Sequence, residues 1–299
     1  MSTLIKARNL SKHYSQVKAL DNVDFDIEPG RIVGLIGPNG AGKTTALKAM
    51  LGLTTFDGEL EVLGQDPRHK RAQLMHDVCF IADVAVLPRW LKVGDALDFM
   101  AGVHPKFSRA KALDFLARTE IKPHRRVKQL SKGMVTQLHL ALVMAIDAKL
   151  LVLDEPTLGL DILYRKAFYK SLLEEYFDEQ RTIIITTHQV EEIESILTDL
   201  MFIQHGKLVL NESMETVSEN YTEVMVQADK IEAARALKPL TEREVFGKKL
   251  MLFEGVARSE LQALGELRTP SIADLFVAKM SKPDKQSNQQ ANLQQGAIA

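Results

Sequence analysis

A glycine-rich stretch that begins at Gly37 has the residue types of a loop that binds phosphate groups. It lies between an apolar run typical of a buried strand and a helical pattern. Glycines let backbone N–H groups turn towards an anion, and the start of the helix adds partial positive charge. Lys43 would reach the β- and γ-phosphates of a nucleoside triphosphate, and the Thr44 hydroxyl would ligate Mg²⁺. The predicted nucleotide-binding residues are Gly37, Pro38, Asn39, Gly40, Ala41, Gly42, Lys43, Thr44 and Thr45.

Two adjacent carboxylates, Asp154 and Glu155, follow a second apolar run, Leu150–Leu153. At the end of a buried strand, Asp154 would hold a metal ion through water, and Glu155 would polarise an attacking water molecule. The alternative is a helix N-cap, because Pro156 and Thr157 come next. Beside a phosphate loop, the pair favours a metal site with a general base.

A third apolar run, Thr182–Thr187, ends at His188, and a helix is predicted to follow. A histidine there would contact a γ-phosphate and respond to its presence, although a strand-end histidine is more often a surface or capping residue. Polar segments thus leave the carboxyl ends of predicted parallel strands, which is where open α/β sheets bind ligands.

A further candidate is the segment LSKGM at 130–134, about twenty residues before Asp154. Ser131 is a good helix N-cap, and with Gly133 it would present a hydroxyl and backbone N–H groups to an anion. A plain capped helix is the alternative. This segment separates the chain from other families that hydrolyse nucleotides.

The elements that must position these residues alternate between strand and helix. Residues 3–30 have the alternating polarity of antiparallel strands with one solvated face. Apolar residues recur at helical spacing over 93–121, with a break near its middle, and again over 131–146. Near-continuous apolar strands between helices indicate a mainly parallel sheet. We predict an α/β domain over 1–212 with an antiparallel β subdomain and a helical subdomain at about 84–146.

Past Asn211 the pattern changes to short strands and short helices. Strands are predicted at Glu223–Gln227, Glu244–Phe246 and Lys249–Phe253, and helices near Ile231–Leu237 and Ser259–Leu264. We predict a small α+β domain over 213–280, of a size that docks on the main domain. The Gln, Asn, Ser and Lys content of 281–299 predicts a disordered tail.

The bulk composition limits the possible partners. Lys and Arg number 38 against 39 Asp and Glu, so no basic field covers the whole chain and no nucleic-acid partner is expected. The single cysteine, Cys79, forms no internal disulfide, fits a reducing compartment and is predicted to be buried. No signal segment is evident, and no window approaches the roughly 20 apolar residues that span a bilayer. Contact with a membrane is therefore expected through another protein.

Five segments resemble, in their order along the chain, the motifs of the ABC ATPase family. They are the phosphate loop, residues 130–137, 150–155 and 158–161, and His188. The resemblance covers about residues 3–212. It implies a P-loop NTPase core within a two-lobed cassette that dimerises head to tail around two ATP molecules, with Mg²⁺. It also implies a separate transmembrane permease as partner, and a peripheral place on the cytoplasmic face of the cell membrane. The dimer would be a homodimer or a heterodimer with a related cassette.

The same resemblance gives each candidate residue a role. Glu155 would be the general base and His188 the sensor of the γ-phosphate. The residues that would act across the dimer are Ser131, Gly133 and Asp161. Tyr14 stands where the family has an aromatic residue that stacks on adenine, and a half-buried core tyrosine is the alternative.

Two departures from the family pattern are visible. Its signature usually has the sequence Leu-Ser-Gly-Gly-Gln, and here Lys132 and Met134 replace the first Gly and the Gln. Lys132 is either a solvated charge or an added attraction for phosphate. Asp83 stands where the family commonly has a Gln that ligates the metal and couples to the permease; an aspartate also ligates Mg²⁺ but is shorter and charged. The predicted metal ligands are Thr44, Asp83 and Asp154.

The segment Ser271–Phe276 resembles the closing segment of many bacterial antibiotic and multidrug exporter ATPases. We therefore expect an ATP-hydrolysing subunit that energises export of an unidentified substrate. One alternative is a soluble ABC-type ATPase acting on ribosomes or DNA, although such relatives usually have two cassettes in one chain or a long coiled coil. The other is a non-hydrolysing regulatory cassette, against which the intact Glu155 and His188 argue.

Overall fold

Aliphatic and β-branched runs form the central strands, and amphipathic stretches form the helices between them. The computed structural model describes residues 3–81 and 87–281, and the chain divides into two compact units, Met1–Asn211 and Glu212–Ala299. The strands that begin in the first unit are β1 (Ile5–Tyr14), β2 (Val17–Ile27), β3 (Ile32–Ile36), β4 (Asp57–Val62), β5 (Val78–Ile81), β6 (Leu150–Asp154), β7 (Thr182–Thr186), β8 (Asp199–Gln204) and β9 (Lys207–Ser213). Its helices are α1 (Lys43–Met50), α2 (Pro67–Leu74), α3 (Val93–Val103), α4 (Arg109–Ala117), α5 (Lys132–Met144) and α6 (Ile162–Ser171).

The main sheet has six strands in the order β5-β6-β7-β3-β8-β9. All four pairs from β5 to β8 are parallel, and every residue of β3, β6 and β7 is buried. Burial on both faces explains why these strands are continuously apolar rather than alternating. The predicted α/β fold with a mainly parallel sheet is confirmed, and the carboxyl ends of β6, β7 and β3 lie side by side.

A second sheet has three antiparallel strands in the order β2-β1-β4. The predicted antiparallel sheet is therefore confirmed, but β1 is longer than expected, and β4, β5, β8, β9 and the helix α2 were not predicted. The strand β4 contains alternating acidic residues (Glu59 and Glu61) that give it low strand propensity. Pairing with β1 and burial of Leu60 and Val62 override that local preference.

Helices α3, α4 and α5 share a core of their own. Leu97, Leu116 and Leu138 are at most 2% exposed within it, in keeping with the predicted helical spacing. The break that the sequence predicts between the first two helices is confirmed, because α3 ends at Val103 and α4 begins at Arg109.

The helix predicted after His188 is wrong. The structure has two short 3-10 turns there, Val190–Glu192 and Glu194–Ile196. Residues 187–198 separate β7 from β8, which leaves little length for a packed α-helix with connections at both ends. Closely spaced glutamates in this segment also repel one another.

The second unit is a four-stranded antiparallel sheet in the order β11-β12-β10-β13, the split βαβ arrangement. Its strands are β10 (Tyr221–Val226), β11 (Thr241–Val245), β12 (Lys248–Glu254) and β13 (Gly265–Arg268). Its helices are α7 (Met214–Asn220), α8 (Ile231–Ala236), α9 (Arg258–Gln262) and α10 (Ile272–Met280). The first three of these strands and helices α8 and α9 lie where the sequence predicts them. The sequence prediction missed β13, α7 and α10, and it placed Phe246 in a strand that ends one residue earlier.

Replacing Phe246 with asparagine should stabilise the protein. Val245 pairs with Lys248, so Phe246 and Gly247 form a two-residue turn with φ of +49° and +74°. Such turns favour Asn-Gly, and a bulky residue in the left-handed region is strained by about 1–2 kcal/mol. Since Phe246 is fully exposed, no packing is lost. We expect Phe246→Asn to raise the free energy of unfolding by about 1 kcal/mol in urea titrations followed by circular dichroism. Phe246→Ala, which keeps the strain, should change it little, and a less stable asparagine variant would contradict the explanation.

Cys79 lies in β5 and is buried, as predicted. Burial raises the pKa of its thiol to about 12, so the thiolate that would react or bind metal is scarce at neutral pH. Asp83 and the predicted tail beyond residue 281 lie outside the described residues.

Candidate nucleotide-binding site

The loop between β3 and α1 is shaped by glycines that admit no side chain. A Cβ at Gly37 would lie 2.4 Å from the carbonyl oxygen of Ile203, and one at Gly42 would lie 2.3 Å from that of Ala19. Gly42 also has a φ of +114° and occupies the N-cap of α1. The backbone therefore turns tightly into the helix, and α1 begins with its N–H groups aimed at the loop.

Lys43 is the first residue of α1 and is only 8% exposed. Its ammonium donates hydrogen bonds to the carbonyl oxygens of Gly37, at 2.7 Å, and Pro38, at 3.2 Å. Burial lowers the pKa of Lys43, and the nearby charges of Glu155 and Asp154 oppose that shift. The loop thus holds a partly desolvated positive charge at a helix N-terminus, where an anion is favoured.

Asp154 is the last residue of β6 and is 4% exposed. Its Oδ2 accepts a hydrogen bond from the Thr44 hydroxyl at 3.0 Å, and its Oδ1 accepts one from the Thr186 hydroxyl at 2.5 Å. The second bond follows from the sheet register, which pairs Asp154 with Thr186. Both carboxylate oxygens are therefore oriented, with one of them beside the hydroxyl that begins α1.

Glu155 follows β6 with a φ of +49°, an uncommon conformation for a residue other than glycine. Its backbone N–H donates to the carbonyl oxygen of Thr186 at 3.1 Å, which anchors it to the end of β7. Its Oε2 lies 2.8 Å from His188 Nδ1. The Glu155 side chain is 17% exposed and that of His188 is 55% exposed. A carboxylate that is held in place yet reachable by water has the geometry of a general base.

These residues surround one pocket at the carboxyl ends of β3, β6 and β7. The residues that line it are Ala19, Asn39, Gly40, Ala41, Gly42, Lys43, Thr44, Thr45, Asp154 and Glu155. The structure therefore brings together the phosphate loop and the carboxylate pair, with His188 bonded to Glu155 at the edge. Chemically, the pocket offers N–H groups and a lysine for phosphates, a hydroxyl and a carboxylate for a hard cation, and a base for water.

Tyr14 lies at the end of β1 and does not line this pocket. It is 45% exposed and is absent from the core clusters. Its hydroxyl lies 3.3 Å from the Thr54 hydroxyl, and the Lys12 ammonium lies 5.0 Å from its ring centre. An exposed ring of this kind offers a face to an adenine base, and stacking there remains a prediction.

Ser131, Gly133 and Asp161 also lie apart from the pocket. Ser131 caps α5, with its hydroxyl accepting from the Met134 N–H at 3.2 Å, as the N-cap interpretation predicts. Asp161 caps α6 by accepting from the N–H groups of Leu163 and Tyr164. Ser131 and Asp161 are exposed, so none of the three contributes to the site of its own chain.

Sequence reasoning left Thr186 out of the site. Its hydroxyl orients Asp154, and its carbonyl oxygen anchors Glu155. The available signal was a threonine at the carboxyl end of a buried strand with an aliphatic centre, where an unpaired hydroxyl would be costly. Within the described residues, no cluster of three or more His, Cys, Asp or Glu side chains could hold a metal ion by itself.

Comparisons with known proteins agree with this geometry. A family model described as ABC transporter matches residues 20–158. The chain is 34% identical to Nod factor export ATP-binding protein I of Cupriavidus metallidurans, over 85% of this chain and 87% of that protein. It is 32% identical to the sulfate/thiosulfate import ATP-binding protein CysA of Neisseria meningitidis, over 71% of this chain and 62% of that protein. A solved ATP-binding subunit of an ABC transporter superposes with a TM-score of 0.65 at 25% identity, over 72% of this chain and 92% of that one.

Proposed function

The chain belongs to the ABC transporter family of ATP-binding proteins and is an ATPase, and we propose that it works as a head-to-tail dimer that drives a separate membrane permease. The observation that carries the proposal is the division of its functional residues. Lys43, Asp154 and Glu155 share one pocket, whereas Ser131 and Gly133 lie outside it. A second copy would supply the missing anion contacts.

In this proposal the phosphate loop and Lys43 bind the phosphates of ATP, and Glu155 accepts a proton from the attacking water. The hydrogen bond that the Glu155 carboxylate accepts from His188 Nδ1 orients the carboxylate and links it to a residue placed to detect the γ-phosphate. Hydrogen bonds from the Glu155 N–H to Thr186 stabilise the strained backbone conformation of Glu155. The intact Glu155 and His188, in a family of ATPases, argue against the alternative of a non-hydrolysing cassette.

The residues fit Mg²⁺ at one place. Thr44 Oγ1 and Asp154 Oδ2 lie 3.0 Å apart, and oxygen ligands of this kind, completed by phosphate and water, are what Mg²⁺ requires. Bound there, the ion would neutralise phosphate charge. Thr186 holds the other oxygen of Asp154 and so fixes the carboxylate for that task. Asp83 remains a proposed third ligand.

The dimer face is proposed from exposed residues around Asp161. Leu158 is 42% exposed, Ile162 63% and Leu163 76%, and all are within a few residues of this predicted cross-dimer link. Clustered exposed aliphatic side chains favour a protein interface. A second copy, or a related cassette, would cover them while Ser131 and Gly133 reach its ATP.

A different exposed surface suits the permease. None of the described helices is long and apolar enough to cross a membrane. In the helical subdomain Trp90 is 69% exposed, Phe99 65% and Val103 58%, and the last two lie four residues apart on α3, on one face. Aromatic residues of this kind anchor protein interfaces. We propose that they contact the permease on the cytoplasmic face of the membrane.

Export is the proposed direction. The match to the Nod factor export protein covers 85% of the 299 residues, about 254, and so must extend into the second unit beyond residue 211. The match to the sulfate import protein covers 71%, about 212, which is close to the length of the first unit alone. The exporter-like segment Ser271–Phe276 forms the start of α10 in that second unit.

Replacing Trp90 and Phe99 with alanine should uncouple the protein from its permease. The reading frame beside this one is expected to encode a protein with six membrane-spanning helices, and co-expression would supply the complex. The double variant should bind that protein at least about tenfold more weakly, since each aromatic anchor contributes roughly 1–2 kcal/mol. Detergent pull-downs measure binding, and ATPase activity of the isolated chain should be unchanged.

Val17→Ala is the matched control, because Val17 is 64% exposed in β2 and away from α3. It should bind the permease like the wild type. Undiminished binding by the double variant would contradict the proposed contact surface. Sedimentation of the chain with ribosomes, without any membrane partner, would contradict the transporter proposal itself.

A further inference from the structure

Lys132 departs from the family signature, and the structure gives its side chain a specific neighbour. A Cβ placed on Gly159 would lie 3.2 Å from Lys132 Cε, 3.5 Å from Cδ and 3.7 Å from Nζ. The aliphatic part of the lysine therefore covers the backbone of Gly159. The residue next to it, Gly133, faces the Gly159 carbonyl oxygen, which would be 3.6 Å from a Cβ there. The start of α5 thus packs on the loop that leads to α6.

The contacted loop is short and begins at the proposed general base. Glu155, at φ +49°, accepts a hydrogen bond from the Leu158 N–H at 3.1 Å through its carbonyl oxygen. The Leu160 N–H then bonds to the Thr157 carbonyl oxygen at 3.0 Å. Gly159 has a φ of +86°, which only glycine adopts readily. A displacement at Gly159 therefore reaches Glu155 through two interlocked turns rather than through a slack connection.

The ammonium of Lys132 does not explain this contact. Lys132 is exposed, and the described residues give it no ion-pair partner within 4.0 Å. It also lies in the first turn of α5, where positive charge is unfavourable and no acidic residue offsets it. What the lysine supplies to Gly159 is its apolar chain, which a glycine at this position would lack.

We propose that Lys132 is a positioning residue that couples the cross-dimer segment 131–133 to Glu155 of the same chain. The inference rests on the proposed dimer, in which this segment contacts the ATP of the partner subunit. When that contact forms, the start of α5 shifts, the Lys132 chain carries the Gly159 turn with it, and Glu155 is set for hydrolysis. Binding of ATP at one site thereby promotes turnover at the other, and hydrolysis is cooperative in ATP.

The test compares variants that separate the chain of Lys132 from its charge. Lys132→Met keeps the apolar chain, whereas Lys132→Ala and Lys132→Gly remove it. We expect the alanine and glycine variants to lose about tenfold in kcat with little change in KM for ATP, and their Hill coefficient to fall towards 1. The methionine variant should stay within about twofold of the wild type and keep its Hill coefficient. Lys128→Ala, an exposed lysine in the preceding 3-10 turn, controls for loss of surface charge.

Two results would overturn the inference. If Lys132→Met falls as far as Lys132→Ala, the residue acts through its charge and not through the Gly159 contact. If all Lys132 variants match the wild type, the contact has no part in turnover. Both results are distinct from failure of the proposed dimer. In that case the wild-type ATPase rate per subunit would not depend on protein concentration, and its Hill coefficient for ATP would be 1.

Discussion

Glu155→Gln should bind ATP as the wild type does, lose turnover by about 10²- to 10⁴-fold, and accumulate as an ATP-bound dimer. The loss has the size of a removed general base. The amide keeps the shape of the carboxylate and can still bond to His188, while Lys43, Thr44 and Asp154 remain in place to hold the nucleotide. A dimer that closes on ATP and opens on hydrolysis would then stay closed. Steady-state phosphate release measures the turnover, and light scattering after size exclusion with ATP measures the dimer.

Glu191→Gln is the control for loss of a carboxylate in the same region. Glu191 is exposed and lies three residues beyond His188, outside the residues that line the pocket. It should hydrolyse ATP at the wild-type rate and remain in its normal association state. If Glu155→Gln were as fast as wild type, the base would be another group. If it were slow but stayed monomeric with ATP, the base would stand and the dimer proposal would fail.

The part of the site that was predictable from sequence is the part that short segments specify. The phosphate loop needs glycines at particular places because Gly37 and Gly42 press against other backbone atoms, and that requirement is visible as a local pattern. Asp154 and Glu155 were recognisable because a carboxylate pair directly follows a run of apolar residues. Periodicity also predicted the three central strands β3, β6 and β7 of the main sheet and the helices α3, α4 and α5. In each case the sequence pattern that carries the prediction spans about ten residues, although the backbone atoms that exclude a side chain at Gly37 and Gly42 belong to Ile203 and Ala19.

What the sequence could not predict depends on which strands become neighbours. Thr186 orients Asp154 only because β6 and β7 are adjacent and in a register that pairs the two residues. The contact between Lys132 and Gly159 likewise joins the start of α5 to the loop before α6, and the buried strand β6 separates the two in sequence. Strand β4 formed against its local propensity because β1 was available to pair with it. Strand register and long-range packing were therefore the missing information. They determine how the side chains of the site are oriented rather than which residues compose it.

The two carboxylates of the site show how this division affects function. Asp154 is buried and held through both oxygens by hydroxyl groups, which suits a rigid metal ligand. Glu155 is one residue further, with a left-handed backbone and a single side-chain partner of its carboxylate, His188, among the described residues. The two adjacent carboxylates thus have different surroundings, because β6 ends between them. A base that responded to the proposed dimer closure would need the second kind of support, because its position would change with the loop that follows.

Lys43→Met should abolish detectable ATP binding without weakening the fold. Removing one partner of a buried, charge-assisted contact costs about 2–5 kcal/mol, so ATP affinity should fall by at least about 30-fold. The substitution should not lower the stability of the protein without ATP. Burial lowers the pKa of Lys43, so its charged form opposes folding at neutral pH. Methionine fills similar volume without that charge. We expect the apo variant to melt at the same or a higher temperature than wild type, and the stabilisation that ATP gives the wild type to vanish.

The difference in apo melting temperature between Lys43→Met and the wild type should depend on pH, because Lys43 is buried. Since the folded pKa of Lys43 lies below the unfolded one, the wild type gains stability as pH rises through the lowered pKa, and the methionine variant lacks this gain. The gap in apo melting temperature should therefore be widest near neutral pH and narrow in alkaline buffer. Lys48→Met, in the same helix but exposed, should keep ATP binding. A destabilised apo Lys43→Met would mean that the bonds to Gly37 and Pro38 outweigh the cost of burial. Undiminished ATP affinity would remove Lys43 from the site.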